Sequence, residues 1–118
     1  MTRTLSLVLM DGPYESANTT TAMRIIDAAL RKGHHVHVAA CEGALAYGSS
    51  GRPAERIVGL VEMARQKGLR LDWLRVIPEG READRPQIGG PAGVRTGGPS
   101  DLWKQIETAD NVLVIPSR

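Results

Sequence analysis

Residues 5–41 read LSLVLMDGPYESANTTTAMRIIDAALRKGHHVHVAAC, and this stretch decides the fold class. Leu5 to Met10 is a nearly unbroken apolar run, the pattern of a strand covered on both faces. Asp11-Gly12-Pro13 stops it with a turn signal. Ser16, Asn18, Thr19 and Thr20 then offer N-caps for a helix. In that helix Ala22, Ile25, Ile26, Ala29 and Leu30 fall on one stripe at helical spacing. Gly33 stands where a helix-ending glycine belongs, and a second strand runs from His35 to Cys41. A strand, a helix and a second strand in this order form a parallel crossover unit.

The same alternation continues outward. Glu42-Gly43 ends the second strand, and residues 44–52 read as a loop or short helical piece rich in Gly and Ser. Pro53 suits the first turn of a long helix whose stripe is Ile57, Leu60, Val61 and Ala64, stopped at Gly68. Leu69, Leu71 and Trp73 alternate with Arg70 and Asp72, which predicts a third strand with one less covered face. Residues 78–99 are rich in Gly and Pro, with Gly93-Val94-Arg95-Thr96 as a very short strand. Ser100 is the expected N-cap of a last helix with Leu102, Trp103 and Ile106 inward, and Asn111 to Ile115 the closing buried strand. The expectation is one domain over residues 1–118, a three-layer α/β/α sandwich with a mostly parallel sheet of about five strands.

Composition narrows the function. Domains commonly run to roughly 100–150 residues, so 118 residues make one. Aromatic residues are only 3% of the chain, with no Phe, which leaves few rings for stacking bases. Fifteen Lys and Arg stand against thirteen Asp and Glu, a net charge of +2 with no dense basic patch. These features argue against a nucleic-acid partner. One cysteine excludes an internal disulfide and a Cys-based zinc cluster, and a lone thiol suits the reducing cytoplasm. No stretch approaches the ~20 apolar residues of a membrane span.

In parallel sheets, ligands bind beyond the carboxyl ends of the strands. The loops expected there are residues 11–16, 41–50 and 78–86, and the segment after the last strand. Neither GxGxxG nor GxxxxGK[ST] occurs, so no nucleotide cofactor is expected. The helix start near Asn18 can hold an anion, or be simply capped. Cys41 is the one thiol, placed at a strand end, where it is either a sulfur nucleophile or a small buried apolar group. Tyr14, with Gly12, and Glu42, with Gly43, flank the same crevice. His35 and His37 share a strand face while His34 points elsewhere, and no partner at ligand spacing makes them a metal site. Glu79, Glu82 and Asp84 with Arg81 and Arg85 read as a solvated mixed-charge loop. Arg52, Arg85 and Arg95 can instead take an acidic ligand or a neighbouring subunit. Trp73, Leu74 and the loop of residues 85–99 offer apolar surface for assembly.

Several motifs in shared order resemble the DsrE/DsrF-like sulfur-relay family over nearly the whole chain. They are Gly12-Pro13-Tyr14 after the first strand, Lys32-Gly33-His34 before the second, and Glu42-Gly43-Ala44 after it. Gly80-Arg81, Gly93-Val94, Asp101-Leu102-Trp103 and Ala109-Asp110-Asn111-Val112-Leu113 follow in order. The resemblance implies an α/β/α sandwich assembled as a homo-oligomer, a trimer or hexamer, or as a hetero-oligomer. It also implies persulfide chemistry on a cysteine at or just after the third strand. Here that segment is Asp72-Trp73-Leu74-Arg75-Val76-Ile77-Pro78, with Leu74 and Ile77 where the thiols are expected. Neither side chain holds a sulfane sulfur. Three readings follow: a sulfur-metabolism protein binding a sulfur-containing or anionic ligand, or a sulfur-carrier protein, near Cys41; an accessory subunit that stabilises or regulates a partner enzyme; and, last, a small hydrolase or lyase using Tyr14, Glu42 and a histidine.

Overall fold

A computed structural model describes residues 2–10, 17–41, 51–77 and 94–116. The elements are β1 (Thr4–Leu9), α1 (Ala17–Arg31), β2 (His35–Ala40), α2 (Gly51–Gln66), β3 (Leu71–Val76), β4 (Val94–Gly97), α3 (Pro99–Thr108) and β5 (Asn111–Ile115). The strands form one sheet in the order β4-β3-β2-β1-β5, and every neighbouring pair is parallel. The α/β sandwich expectation holds, and the sheet is parallel throughout.

Two glycines close the long helices. Gly33 and Gly68 have φ of 88° and 73°, the left-handed region open to glycine without strain. His34 N–H donates to the Ala29 carbonyl and Leu69 N–H to the Ala64 carbonyl, so both ends are Schellman turns. Each turn hands the chain straight into the next strand.

Strand alternation sorts the core into two faces. Leu7 and Leu9 of β1, Val36, Val38 and Ala40 of β2, and Leu71 and Trp73 of β3 face α1 and α2. Met23, Ile26 and Leu30 of α1 and Ile57, Leu60 and Ala64 of α2 close over them. On the opposite face Val8, Ala39, Leu74 and Val76 form a smaller cluster, with Met10, Cys41 and Leu102 against it. Only α3 covers that face among the described helices. Two helices on one side and one on the other give the three layers.

Four expectations are corrected. The third strand is covered on both faces: Trp73 and Leu74 are fully buried, because α2 packs on one face of β3 and α3 on the other. They offer no surface for assembly. The last strand is not buried but an edge: Val112, Leu113 and Val114 are exposed, since β5 pairs with β1 alone among the described strands. The α3 N-cap is Gly98, not Ser100, with Pro99 in the first turn. Asp101 Oδ2 accepts the Gly98 N–H at 2.9 Å, closing the helix start from its third residue. Finally, α3 does not bury Trp103, which is 61% exposed, but Gln105.

Candidate functional site

The order of strands places the crevice. The chain steps from β1 to β2 to β3 to β4 in one direction, then returns past β1 to place β5 on its other side. That reversal is the topological switch point, where parallel sheets open a crevice at the strand carboxyl ends. The edge is stitched one residue beyond each strand. Met10 N–H donates to the Ile115 carbonyl at 3.0 Å, Cys41 N–H to the Leu9 carbonyl at 2.8 Å, and Ile77 N–H to the Gly97 carbonyl at 2.8 Å. Met10, Cys41 and Ile77 are therefore fixed along the carboxyl edge of the sheet by backbone bonds, Met10 and Cys41 on either side of β1.

Cys41 follows Ala40, the residue paired with Arg75, and so falls level with Val76. It is half-buried and packs with the cluster containing Leu74 and Val76, on the α3 side of the sheet. Of the two positions implied for a family thiol, Leu74 is fully buried in that cluster and Ile77 is 9% exposed. Cys41 thus shares the face and packing neighbourhood of Leu74 while standing one strand away and nearer to solvent. A thiolate at this place has an accessible side, which a nucleophilic sulfur requires.

Gly12, Tyr14, Glu42 and Gly43 lie outside the described residues, as do the charged loop and Arg85. Asn18 is in the first turn of α1, and its side chain is likewise outside the described residues, as is that of Arg52.

The three histidines separate. His34 Nδ1 accepts the Arg3 N–H at 3.1 Å and His35 Nδ1 accepts the Arg70 N–H at 3.0 Å. Both tie neighbouring chain segments together at the amino end of the sheet. No cluster of three metal-ligating side chains occurs among the described residues. His37 differs: it lies mid-strand on the α3 side, with Nε2 3.5 Å from Asp72 Oδ2. Burial pushes its pKa below the ordinary value, against the opposing pull of Asp72, while Arg95, His35 and Arg70 add to the depression. A neutral imidazole beside a carboxylate was not visible in the linear spacing, because register, not sequence distance, brings Asp72 to His37. The sequence does carry signals of this site: polar residues within otherwise apolar strands, Ser6 and His37, and a polar stripe of Asp101, Lys104, Gln105 and Thr108 on α3.

No helix among the described residues is long and apolar enough to cross a membrane. No family model matches the chain, and no curated protein matches it. Among solved structures, the crystal structure of the ychN protein from E. coli superposes with a TM-score of 0.67 over 97% of this chain and 99% of that one. Sequence identity in that pair is 16%, so the likeness is one of fold.

Proposed function

We propose that the chain is a DsrE-like protein of sulfur metabolism in which Cys41, one strand over from the position implied for the family thiol, carries sulfane sulfur as a persulfide. The observation that carries this reading is the packing of Cys41 beside Leu74 and Val76 at the carboxyl edge of β2. The fold shared with the ychN protein supports it at the level of architecture. The step needs no outside oxidant. The Cys41 thiolate attacks the outer sulfur of a donor persulfide, the donor's S–S bond breaks, and the donor thiolate leaves. Small persulfides, or the carrier cysteine of a partner protein, are the substrate class.

Intact-protein and peptide mass spectrometry after treatment with a persulfide donor tests it. The expected result is a Cys41 peptide heavier by one sulfur atom, reversed by dithiothreitol and absent in Cys41→Ser. An unmodified Cys41 at donor excess overturns the carrier role. In that event the accessory-subunit reading stands, favoured by the replacement of the third-strand thiol with a fully buried leucine. Affinity capture from the source cell then returns a partner enzyme, and capture of this chain alone rejects it.

Self-assembly belongs to the same reading. The surface best suited is β5: its apolar edge strand leaves one row of backbone groups unpaired within the described sheet. Asn111–Ile115 is self-complementary when paired antiparallel about Leu113, which sets Val112 opposite Val114 of a second copy. That second copy is the proposed occupant.

A further inference from the structure

A groove of about 340 Å³ opens on the sheet face that α3 only partly covers, lined by His37, Arg95, Asp101, Lys104, Gln105 and Thr108. It is distinct from the Cys41 edge. Cys41 lies four residues further along β2, about 13 Å at the usual strand rise.

The sheet beneath α3 and the groove holds buried polar atoms that have no partner among the described residues. Ser6, His37 and Asp72 are register partners across β1, β2 and β3, and make one row on this face. Gln105 comes down on the face from α3 and is 4% exposed. Both of its amide atoms, Ser6 Oγ and His37 Nδ1 are buried without a hydrogen-bond partner among the described residues. Each such group costs about 1–3 kcal/mol when left unsatisfied. Four in one place is unusual for a structural packing contact, where an apolar side chain at position 105 would serve.

The chemistry of the lining selects a ligand. Asp72 beside Nε2 favours a proton on that nitrogen, which leaves Nδ1 of the neutral imidazole as an acceptor. Gln105 adds one donor and one acceptor. These atoms are closed to water beneath the groove surface, so a hydroxyl that enters there, as the side chains part, donates to His37 Nδ1 and accepts from the Gln105 amide. Arg95 and Lys104 line the groove and supply positive charge. The guanidinium fork of Arg95 matches a carboxylate. Asp101 and Asp72 lie nearby, so a dianion such as phosphate is disfavoured relative to a monoanion. The available volume fits a ligand at the small end of the usual range.

We propose that this groove binds a small hydroxycarboxylate, with its carboxylate on Arg95 and its hydroxyl between His37 and Gln105.

Titration of isotope-labelled protein with glycolate and with L-lactate, followed by NMR at the Gln105 side-chain amide and the His37 ring, tests the proposal. Saturable shifts at both groups are expected, with acetate, which lacks the hydroxyl and both of its hydrogen bonds, weaker by about tenfold or more. Arg95→Gln, an exposed position whose change leaves the core intact, is expected to weaken binding by about tenfold or more. Gln105→Leu abolishes the response while raising the melting temperature. Cys41→Ser responds like the parent, which separates this site from the sulfur reading. Absent or non-saturating shifts with both acids, an unchanged response in Arg95→Gln, or a crystal grown with glycolate that shows only ordered water bridging Gln105 and His37 overturns it.

Discussion

His37 carries a measurable pH signature. Among the described residues, Asp72 at 3.5 Å opposes the effect of burial, Arg95, His35 and Arg70 reinforce it, and Lys104 and Asp101 line the same groove from α3. The folded pKa is held below the ordinary 6.5. In the unfolded chain the ring takes up a proton near 6.5 while the folded ring resists, so the unfolded state binds more protons in that interval. Stability is therefore at its full value above pH 6.5 and falls as pH drops toward the folded pKa. Urea unfolding at pH 7.5, 6.5 and 5.5 is expected to show this decline, with a shallower slope in His37→Gln. Ser6 gives a second residue-scale prediction. Its fully buried hydroxyl has no partner among the described residues. Ser6→Ala is expected to hold stability or raise it by about 1 kcal/mol in urea unfolding, whereas a large loss shows that the hydroxyl is bonded in solution.

The short helix α3 depends on its neighbours more than its length suggests. Gly97, at the end of β4, faces Asp101: a Cβ there would stand 2.9 Å from Asp101 Cγ and 3.0 Å from Leu74 Cδ1. Asp101 is committed to the Gly98 N–H, so it cannot yield without releasing the helix start. Gly97→Ala is expected to cost about 1 kcal/mol or more, the value of a lost cap. Asp101→Ala costs a similar amount, and the double variant costs less than the sum of both, since one interaction is removed twice. Thermal melts of the three variants check this. The helices read correctly from the sequence, α1 and α2, are those with a clean apolar stripe and a glycine stop. The α3 stripe holds at Leu102, which packs against the sheet, and fails at Trp103, which looks like core by type but faces solvent while Gln105 turns inward over Ser6 and His37. Cys41 was placed correctly at a strand end. The groove was not, because its members meet only through strand register and helix docking, which local pattern does not encode.

At the scale of the molecule, strand order controls what is exposed. Five apolar or neutral residues, Asn111–Ile115, read as a buried strand, and a comparable run one strand further in is buried in β1. Position at the edge makes the difference. An exposed apolar edge pairs readily with another chain, and charge on it blocks that pairing. Val114→Lys, at a side chain 54% exposed, is expected to change the stability of the folded protomer itself by no more than about 0.5 kcal/mol, read by urea unfolding at concentrations where the parent is dissociated. It should also shift sedimentation velocity profiles toward the monomer at micromolar concentration. A parent protein that sediments as a monomer removes the assembly reading.

The clamp between the neighbouring strands β1 and β5, far apart in sequence, has a consequence for synthesis. Thr4 N–H donates to Asp110 Oδ2 at 2.7 Å and Asp110 N–H returns a bond to the Thr4 carbonyl at 2.9 Å, across 106 residues. On the ribosome the chain emerges amino end first. One flank of β1 therefore has no partner until residues 110–115 are made, however early β2 and β3 have joined the other flank. Until then that flank is an open row of backbone donors and acceptors, through which two nascent chains on one messenger can pair with each other before either is finished.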